Sequence, residues 1–272
     1  MRMLNVGCGT RFHKDWTNVD MVSTGEGVIA TNLLKGIPYP DNTFDVVYHS
    51  HVLEHFNRAD GENFTKECVR VLKPGGILRI STPDLENIAQ EYIANLNAAI
   101  QGDRAADFRY EWNLLELYDQ TTRNISQGEM GKLLKQTDLP SEEYVMNRIG
   151  YEGVLLRKGK ASGGTAENTV NTSLVKKLLN PNIWRNKLAK VLLGKDGFRN
   201  YELGSFRYGG EIHLMMYDRH SAGKLLKKLG MNAFEVTGAR KSSIVNWEIY
   251  DLDRHEGMDY KPFSLIVEAR KS

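Results

Sequence analysis

Met3-Leu4-Asn5-Val6-Gly7-Cys8-Gly9 is the stretch that decides the fold. A short apolar run breaks directly into Gly-x-Gly. A buried parallel strand ends this way when its backbone must pass close to a nucleotide. Glycine has no Cβ, so ligand atoms can approach the main chain and a positive φ costs little. On open α/β sheets, ligands sit outside the carboxyl ends of such strands. Gly-x-Gly on its own equally fits a plain tight turn, so its weight comes from the order of the segments downstream of it.

Working outward, Trp16-Thr17-Asn18-Val19-Asp20 reads as a second strand, Val28-Ile29-Ala30 as a third and Phe44-Asp45-Val46-Val47-Tyr48 as a fourth. The fourth comes after a Pro40-Asp41-Asn42-Thr43 turn. Phe64, Cys68, Val71 and Leu72 recur at helical spacing and predict a helix over 57–72. The breaker cluster Lys73-Pro74-Gly75-Gly76 ends it, and Ile77–Ser81 is a fifth strand. Strands alternating with helices imply a parallel sheet with right-handed crossovers. From residue 85 to about 210 the pattern turns helical. Ile88, Tyr92, Ile93 and Leu96 mark one apolar face, and Leu114, Leu115 and Leu117 a second helix. Pro140-Ser141-Glu142-Glu143 reads as a helix start with Ser141 as N-cap. Lys158–Thr165, with three glycines, reads as a loop. A helix over 220–229 and strands over 233–237 and 263–269 close the domain. Residues 1–84 and 211–272 thus form the α/β core, and 85–210 a helical insertion.

The 272 residues are 41% hydrophobic and 26% charged, and the net charge is +2. That composition permits a sizeable core. Neither the charge nor any recognised motif points to nucleic acid. The two cysteines, Cys8 and Cys68, have no metal-ligand spacing, and no metal is expected. They imply no disulfide framework, which makes a reducing cytoplasm the expected location. Neither a cleavable leader nor a membrane span is expected.

Asp20 stands where the second strand ends, a place from which a carboxylate can accept both hydroxyls of an adenosine ribose. The alternative is a turn aspartate. Phe12 replaces the third glycine of the dinucleotide fingerprint, and the acid comes earlier than the roughly 20 residues expected for NAD. Both points count against a nicotinamide-dependent oxidoreductase.

Taken together, these residues resemble the class I S-adenosylmethionine-dependent methyltransferases of the small-molecule type. Leu4-Asn5-Val6-Gly7-Cys8-Gly9 is similar to their first motif and Asn18-Val19-Asp20 to their ribose-binding acid motif. Leu33–Val47, Ser50-His51-Val52-Leu53-Glu54-His55 and Arg70-Val71-Leu72-Lys73-Pro74-Gly75-Gly76 resemble later elements in the same order. Glu116–Gln120, His213–Asp218 and Lys261–Leu265 resemble a subgroup found among genes for surface-glycan synthesis. The resemblance implies a Rossmann-like, mostly parallel seven-stranded sheet of order 3-2-1-4-5-7-6, with the insertion between strands 5 and 6. It implies S-adenosyl-L-methionine as cofactor, S-adenosyl-L-homocysteine as product, and cofactor contacts from Asn5, Gly7, Cys8, Gly9, Asp20, Met21, Asn32, Leu33, His49 and Ser50. Three departures stand out. No helix is expected before the first strand, where the family usually has one. Residues 10 to 15 leave room for a turn or two of helix at most, where parallel strands normally need a crossover of about a dozen residues. Asn32 replaces a frequent aspartate, and its side-chain oxygen either accepts from an adenine amino group or closes an Asx turn.

A sulfonium methyl is already activated, so such an enzyme must align the acceptor and exclude water. A hydroxyl acceptor also needs a base. His49, His51 and His55 cluster after the fourth strand, and histidine titrates near neutral pH. His51 is the first candidate base, with His213 and His55 behind it; each also fits a packing role. Asp119, Arg123 and Tyr217 are candidates for the acceptor side, although Asp119 and Arg123 equally fit an exposed ion pair. The expected acceptor is a small polar molecule, such as a sugar hydroxyl on a glycan or glycolipid precursor. A binding protein without catalysis shares the same cofactor motifs and stays open.

Val154–Asn200 carries ten Lys or Arg against Glu167 and Asp196. Leu174, Val175, Leu178 and Leu179 form one apolar face, and Ile183, Trp184, Leu188, Val191 and Leu192 another. Such basic helices, here over 172–193, either pack as a lid on the core or lie on an anionic membrane. The oligomeric state is not legible.

Overall fold

A computed structural model describes residues 1–157 and 181–272, with side chains from 184 onward in the second stretch. The loop expected at Lys158–Thr165 and the apolar face Leu174, Val175, Leu178 and Leu179 lie outside the described residues.

The strands are β1 (Met3–Val6), β2 (Thr17–Asp20), β3 (Val28–Ala30), β4 (Phe44–Ser50), β5 (Leu72–Pro83), β6 (Met231–Thr237), β7 (Arg254–His255), β8 (Met258–Asp259) and β9 (Ser264–Lys271). Seven of them form one sheet of order β3-β2-β1-β4-β5-β9-β6. The first five run parallel, and β9 runs antiparallel to both β5 and β6. This is the order expected from the sequence, with β9 as the seventh strand. β7 and β8 form a separate small hairpin.

Side chains alternate between the two faces of the sheet, as strand geometry requires. Leu4, Val6, Val47, Leu78 and Ile80 face helices α1 (Arg58–Val71) and α7 (Arg219–Lys228), which contribute Phe64, Cys68, Val71, Ala222 and Leu226. Asn57 and Asp218 cap these helices by accepting from first-turn N–H groups. The other face holds Met3, Val46, Tyr48 and Ile77. No α-helix among the described residues covers it. Ile244, Trp247 and Leu252, from the connection between β6 and β9, fold back and cover it together with Trp16. Arg79, fully buried on β5, fastens this cover. Its guanidinium donates to Asp253 and Glu268 and to the carbonyls of Gly238 and Lys241.

The β1–β2 crossover contains no helix at all. Two side chains hold it instead. Asn5 Nδ2 donates to the Arg11 carbonyl at 2.9 Å, and Asn18 Nδ2 to the carbonyls of His13 and Trp16. Arg11 then crosses to the carbonyls of Asp251, Leu252 and Arg254, with its guanidinium 3.7 Å from the Tyr260 ring centroid.

Between β5 and α7 lie α2 (Leu85–Ile100), α3 (Arg104–Thr122), α4 (Gly128–Leu134), α5 (Glu142–Arg157) and α6 (Pro181–Arg207). α3, α4 and α5 form a core of their own around Trp112, Met130, Leu134 and Val145. Ile93 is exposed rather than packed. The inner face of α2 is partly polar, with Asn95 bonded to Asn113 and Tyr144. Ser141 sits at φ +49° just before α5, outside the extended region an N-cap serine adopts, while Glu142 and Glu143 do occupy the first turn.

Candidate functional site

At the end of β1 the chain turns through Gly7 at φ +65° and Gly9 at φ +54°. A Cβ on Gly7 would overlap the Val52 side chain, whereas one on Gly9 would meet nothing within 4 Å. The turn is therefore tight underneath and open above. Gly9 N–H donates to Asp20 Oδ2 at 2.7 Å, which fixes the carboxylate at the end of β2 beside the turn. Burial, then the charge of Asp20, pushes the Cys8 thiol up to about 12, so it stays protonated. Asn5, Gly7, Cys8, Gly9 and Asp20 are thus neighbours, but the amide of Asn5 is spent on the crossover loop.

The other expected cofactor contacts are uneven. Met21 is exposed, and its sulfur accepts from the N–H of the buried Leu33 at 3.4 Å. Asn32 Oδ1 accepts from Leu34 N–H at 3.0 Å, which is the Asx-turn alternative. His49 is sealed in the core with neither ring nitrogen hydrogen-bonded, 5.0 Å from the Phe64 ring. Burial lowers its pKa to about 4 and keeps it neutral. Its side chain cannot reach a ligand above the sheet, because strand alternation turns it inward. Ser50 lines a small void with Ser81, Asp253 and Tyr260.

His51 comes directly after β4 at φ +54°, a left-handed conformation that a non-glycine residue rarely adopts, held by its N–H donating to the Ser81 carbonyl. Its Nδ1 lies 2.9 Å from Glu54 Oε1 and its Nε2 3.0 Å from Ser264 Oγ. The turn Leu53–His55 drives Glu54 into the interior, where it has no exposed surface. Burial alone would raise its pKa. The charge and hydrogen bond of His51, with His55 and His213 nearby, hold it well below the usual carboxylate range. An ionised carboxylate only accepts, so His51 Nδ1 carries the proton and Nε2 keeps its lone pair. Thr82 Oγ1 donates to the second carboxylate oxygen.

Backbone bonds bring the returning segment to the same place. Leu214 and Met215 N–H groups donate to the Glu54 carbonyl, and His213 N–H to the Gln120 carbonyl. His213 Nε2 lies 4.0 Å from Glu54 Oε1, and burial pushes its pKa well down. His55 stands behind it, ring edge to ring face at 5.0 Å, with Nδ1 on the Ile212 carbonyl. One donor atom each from Glu54, His55 and His213 fall within 4.8 Å of one another, a span a metal ion could bridge. The hydrogen bonds to His51 and Thr82 already satisfy the Glu54 carboxylate.

These groups wall a cleft of about 570 Å³, measured out to the solvent, between the carboxyl end of the sheet and the insertion. His51 and His213 line it; His55 does not. Glu116 and Gln120 from α3, Arg148 and Glu152 from α5, and Lys261 and Ser264 complete its polar wall. Arg148 Nε donates to both oxygens of Glu116, and Lys261 pairs with Glu152 at 3.1 Å. α5 reaches this position through Gly150 at φ +60°, where a Cβ would overlap Pro262 and the Asp259 carbonyl.

The expected acceptor-side residues are employed elsewhere. Asp119 accepts from the Glu129 and Met130 N–H groups at the start of α4. Arg123 pairs with Glu211 at 3.1 Å. Tyr217 is buried against α1, and its carbonyl accepts from the Leu85 N–H at the start of α2. The orphan N–H groups of a neighbouring helix explain Asp119 better than the ion pair its spacing suggested.

Residues 4–80 match a family model described as a methyltransferase domain. A stretch of 51 residues is 45% identical to a "probable S-adenosylmethionine-dependent methyltransferase" of Mycolicibacterium smegmatis, covering 19% of each chain. A stretch of 48 residues is 50% identical to a "probable methyltransferase" of Aspergillus luteorubrus, covering 17% of each. Over 80 residues the chain is 38% identical to a ubiquinone/menaquinone biosynthesis C-methyltransferase of Enterobacter sp., covering 28% of this chain and 30% of that one. The similarity thus spans less than a third of these relatives' length. Residues 4–80, which carry the glycine turn, Asp20 and His51, are thus similar to the methyltransferase-domain family.

Proposed function

We propose that this chain is an S-adenosylmethionine-dependent methyltransferase whose acceptor is a hydroxyl of a small polar molecule. The observation that carries this reading is the chain Glu54–His51–Ser264 on the cleft wall, in which an oriented imidazole nitrogen already holds a hydroxyl. A sugar hydroxyl on a glycan or glycolipid precursor suits the charged and hydroxyl-bearing lining. The two free, buried cysteines suit action in the cytoplasm.

The residues at the strand ends fit the cofactor. The turn is open above Gly9, and Asp20 presents a partly exposed carboxylate beside it. Gly7–Gly9 would hold the amino-acid end and Asp20 the ribose. When bound, the cofactor supplies a methyl on a sulfonium. The acceptor hydroxyl would take the place of the Ser264 hydroxyl at His51 Nε2, which removes its proton as the methyl transfers. Glu54 keeps Nδ1 protonated and stabilises the imidazolium that forms. α2 to α5 wall one side of the cleft and would limit the water that reaches a bound acceptor.

Titration calorimetry with S-adenosylmethionine and S-adenosylhomocysteine tests the first half; binding of neither form ends the proposal. Transfer of labelled methyl groups to fractions of polar small molecules tests the second. Binding without turnover in any fraction leaves only a cofactor-binding protein.

A further inference from the structure

The helix α6 is the part of the molecule that the cleft does not use. At Gly194, φ +64° and ψ −172°, its helical path breaks, and the two halves fold against each other. Tyr201 donates to Asn186 Oδ1 at 3.3 Å, and Lys190 Nζ lies 5.9 Å from the Phe198 ring centroid. The half before the break carries Trp184, Leu188, Val191 and Leu192. The spacing i, i+4, i+7, i+8 places them on one stripe about 100° wide. All four are exposed, Val191 by 81% and Leu192 by 72%. The expected lid would have buried this stripe on the core, and the structure leaves it in solvent.

Arg185 and Lys187 flank the stripe on either side, with Lys190, Lys195 and Arg199 exposed close by. Lys187 Nζ lies 5.3 Å from the Trp184 ring centroid. Residues 181–207 hold six Lys or Arg against Asp196 and Glu202, in a chain whose whole net charge is +2. Everything outside α6 is therefore net acidic, and the positive charge gathers around the apolar stripe.

We propose that this face of α6 docks on an anionic lipid bilayer. An apolar stripe bordered by cations sinks to the acyl boundary while its Lys and Arg meet anionic headgroups. Trp184 at the edge of the stripe suits the headgroup level. A second copy of the same face fits less well, because it would set the two cationic borders against each other. The docking does not depend on the proposed reaction.

Sedimentation of the full chain with phosphatidylcholine vesicles, with and without phosphatidylglycerol, tests this. The expected result is pelleting with the anionic vesicles, released by salt, with a blue shift of tryptophan emission. Trp184 is the exposed tryptophan; Trp16, Trp112 and Trp247 are buried, so the Trp184→Phe variant should lose the shift. Lys187→Glu with Lys190→Glu should weaken the partition by at least about fivefold per charge removed. Leu188→Glu with Val191→Glu should abolish it. Both pairs lie on the surface, and unchanged melting shows that the fold is intact. No binding to anionic vesicles, or equal binding to both kinds, overturns the proposal. So does light scattering that shows a dimer lost in Leu188→Glu with Val191→Glu, which would make the face a contact between copies.

Discussion

Replacing Glu54 by Gln should slow methyl transfer and move its acid limb in a direction a merely structural residue would not. The glutamine keeps its oxygen for His51 and turns its amide N–H toward Thr82 Oγ1, which can accept, so shape is conserved while the charge goes. A hydrogen bond to a charged group contributes about 1.5–3 kcal/mol, and this one strengthens as His51 becomes a cation. At about 1.4 kcal/mol per decade, kcat should fall roughly 10- to 150-fold with little change in KM. His51 acts in its neutral form, so activity persists above its folded pKa and is lost as pH falls through it. Burial lowers that pKa below 6.5, with Lys261 acting in the same direction, and Glu54 opposes the shift. The wild type should therefore stay flat through neutrality and decline only on the acid side of 6.5. Removing the Glu54 charge removes the opposing effect, so the limb of the slower variant should lie at still lower pH. Steady-state rates over a pH series, with thermal melts to confirm folding, give both readouts. An acid limb that moves up, or a variant as fast as the wild type, refutes the oriented-base assignment.

The geometry sets three further outcomes. Gly7→Ala should lose cofactor binding by calorimetry, since its Cβ overlaps Val52 at a positive φ, whereas Gly9→Ala should cost only about 1–2 kcal/mol of fold stability in urea melts while still weakening the cofactor. His49 has a folded pKa of about 4 against 6.5 unfolded, so the unfolded chain binds the extra proton and stability falls as pH drops from about 6.5 toward 4, on the order of 3 kcal/mol from this group; His49→Leu should flatten that part of the urea-stability profile and cost nothing at neutral pH. Arg79→Met leaves Asp253 and Glu268 buried without their cation and should destabilise by about 3–5 kcal/mol in urea unfolding; a change below about 1 kcal/mol would mean the cover is held by packing alone.

The first strands, the glycine turn and Asp20 were legible in the sequence because local rules govern them, whereas the strand order rested on the family resemblance. Apolar runs, breakers and a carboxylate at a strand end lie within twenty residues of one another. The cleft was only half legible. His51 and His213 could be singled out by type, but Glu54 reads as one more acid in Leu53-Glu54-His55 until residues 213–215 bond to its carbonyl. Arg148, Glu152, Lys261 and Ser264 meet through the kink at Gly150, which no short-range pattern announces. Asp119 misled for the opposite reason. Its spacing to Arg123 suggested a surface pair, while the unsatisfied N–H groups at the start of α4, ten residues on, were the stronger claim. His49 looked like a site residue because it neighbours one, and a single step along a strand reverses the face.

The cover over the second face of the sheet bears on how the molecule comes into being. Arg11 bonds to Leu252 across 241 positions of sequence, and Trp16 packs on Trp247. On a ribosome the first strands emerge long before the residues that will shield them. Until then Met3, Val46, Tyr48 and Ile77 have one bare side, and the nascent sheet must wait with apolar surface open to solvent and to other chains. Contacts of such long sequence separation slow folding and lengthen the window for aggregation. The stretch that carries the family motif is therefore synthesised well before the residues that complete its packing.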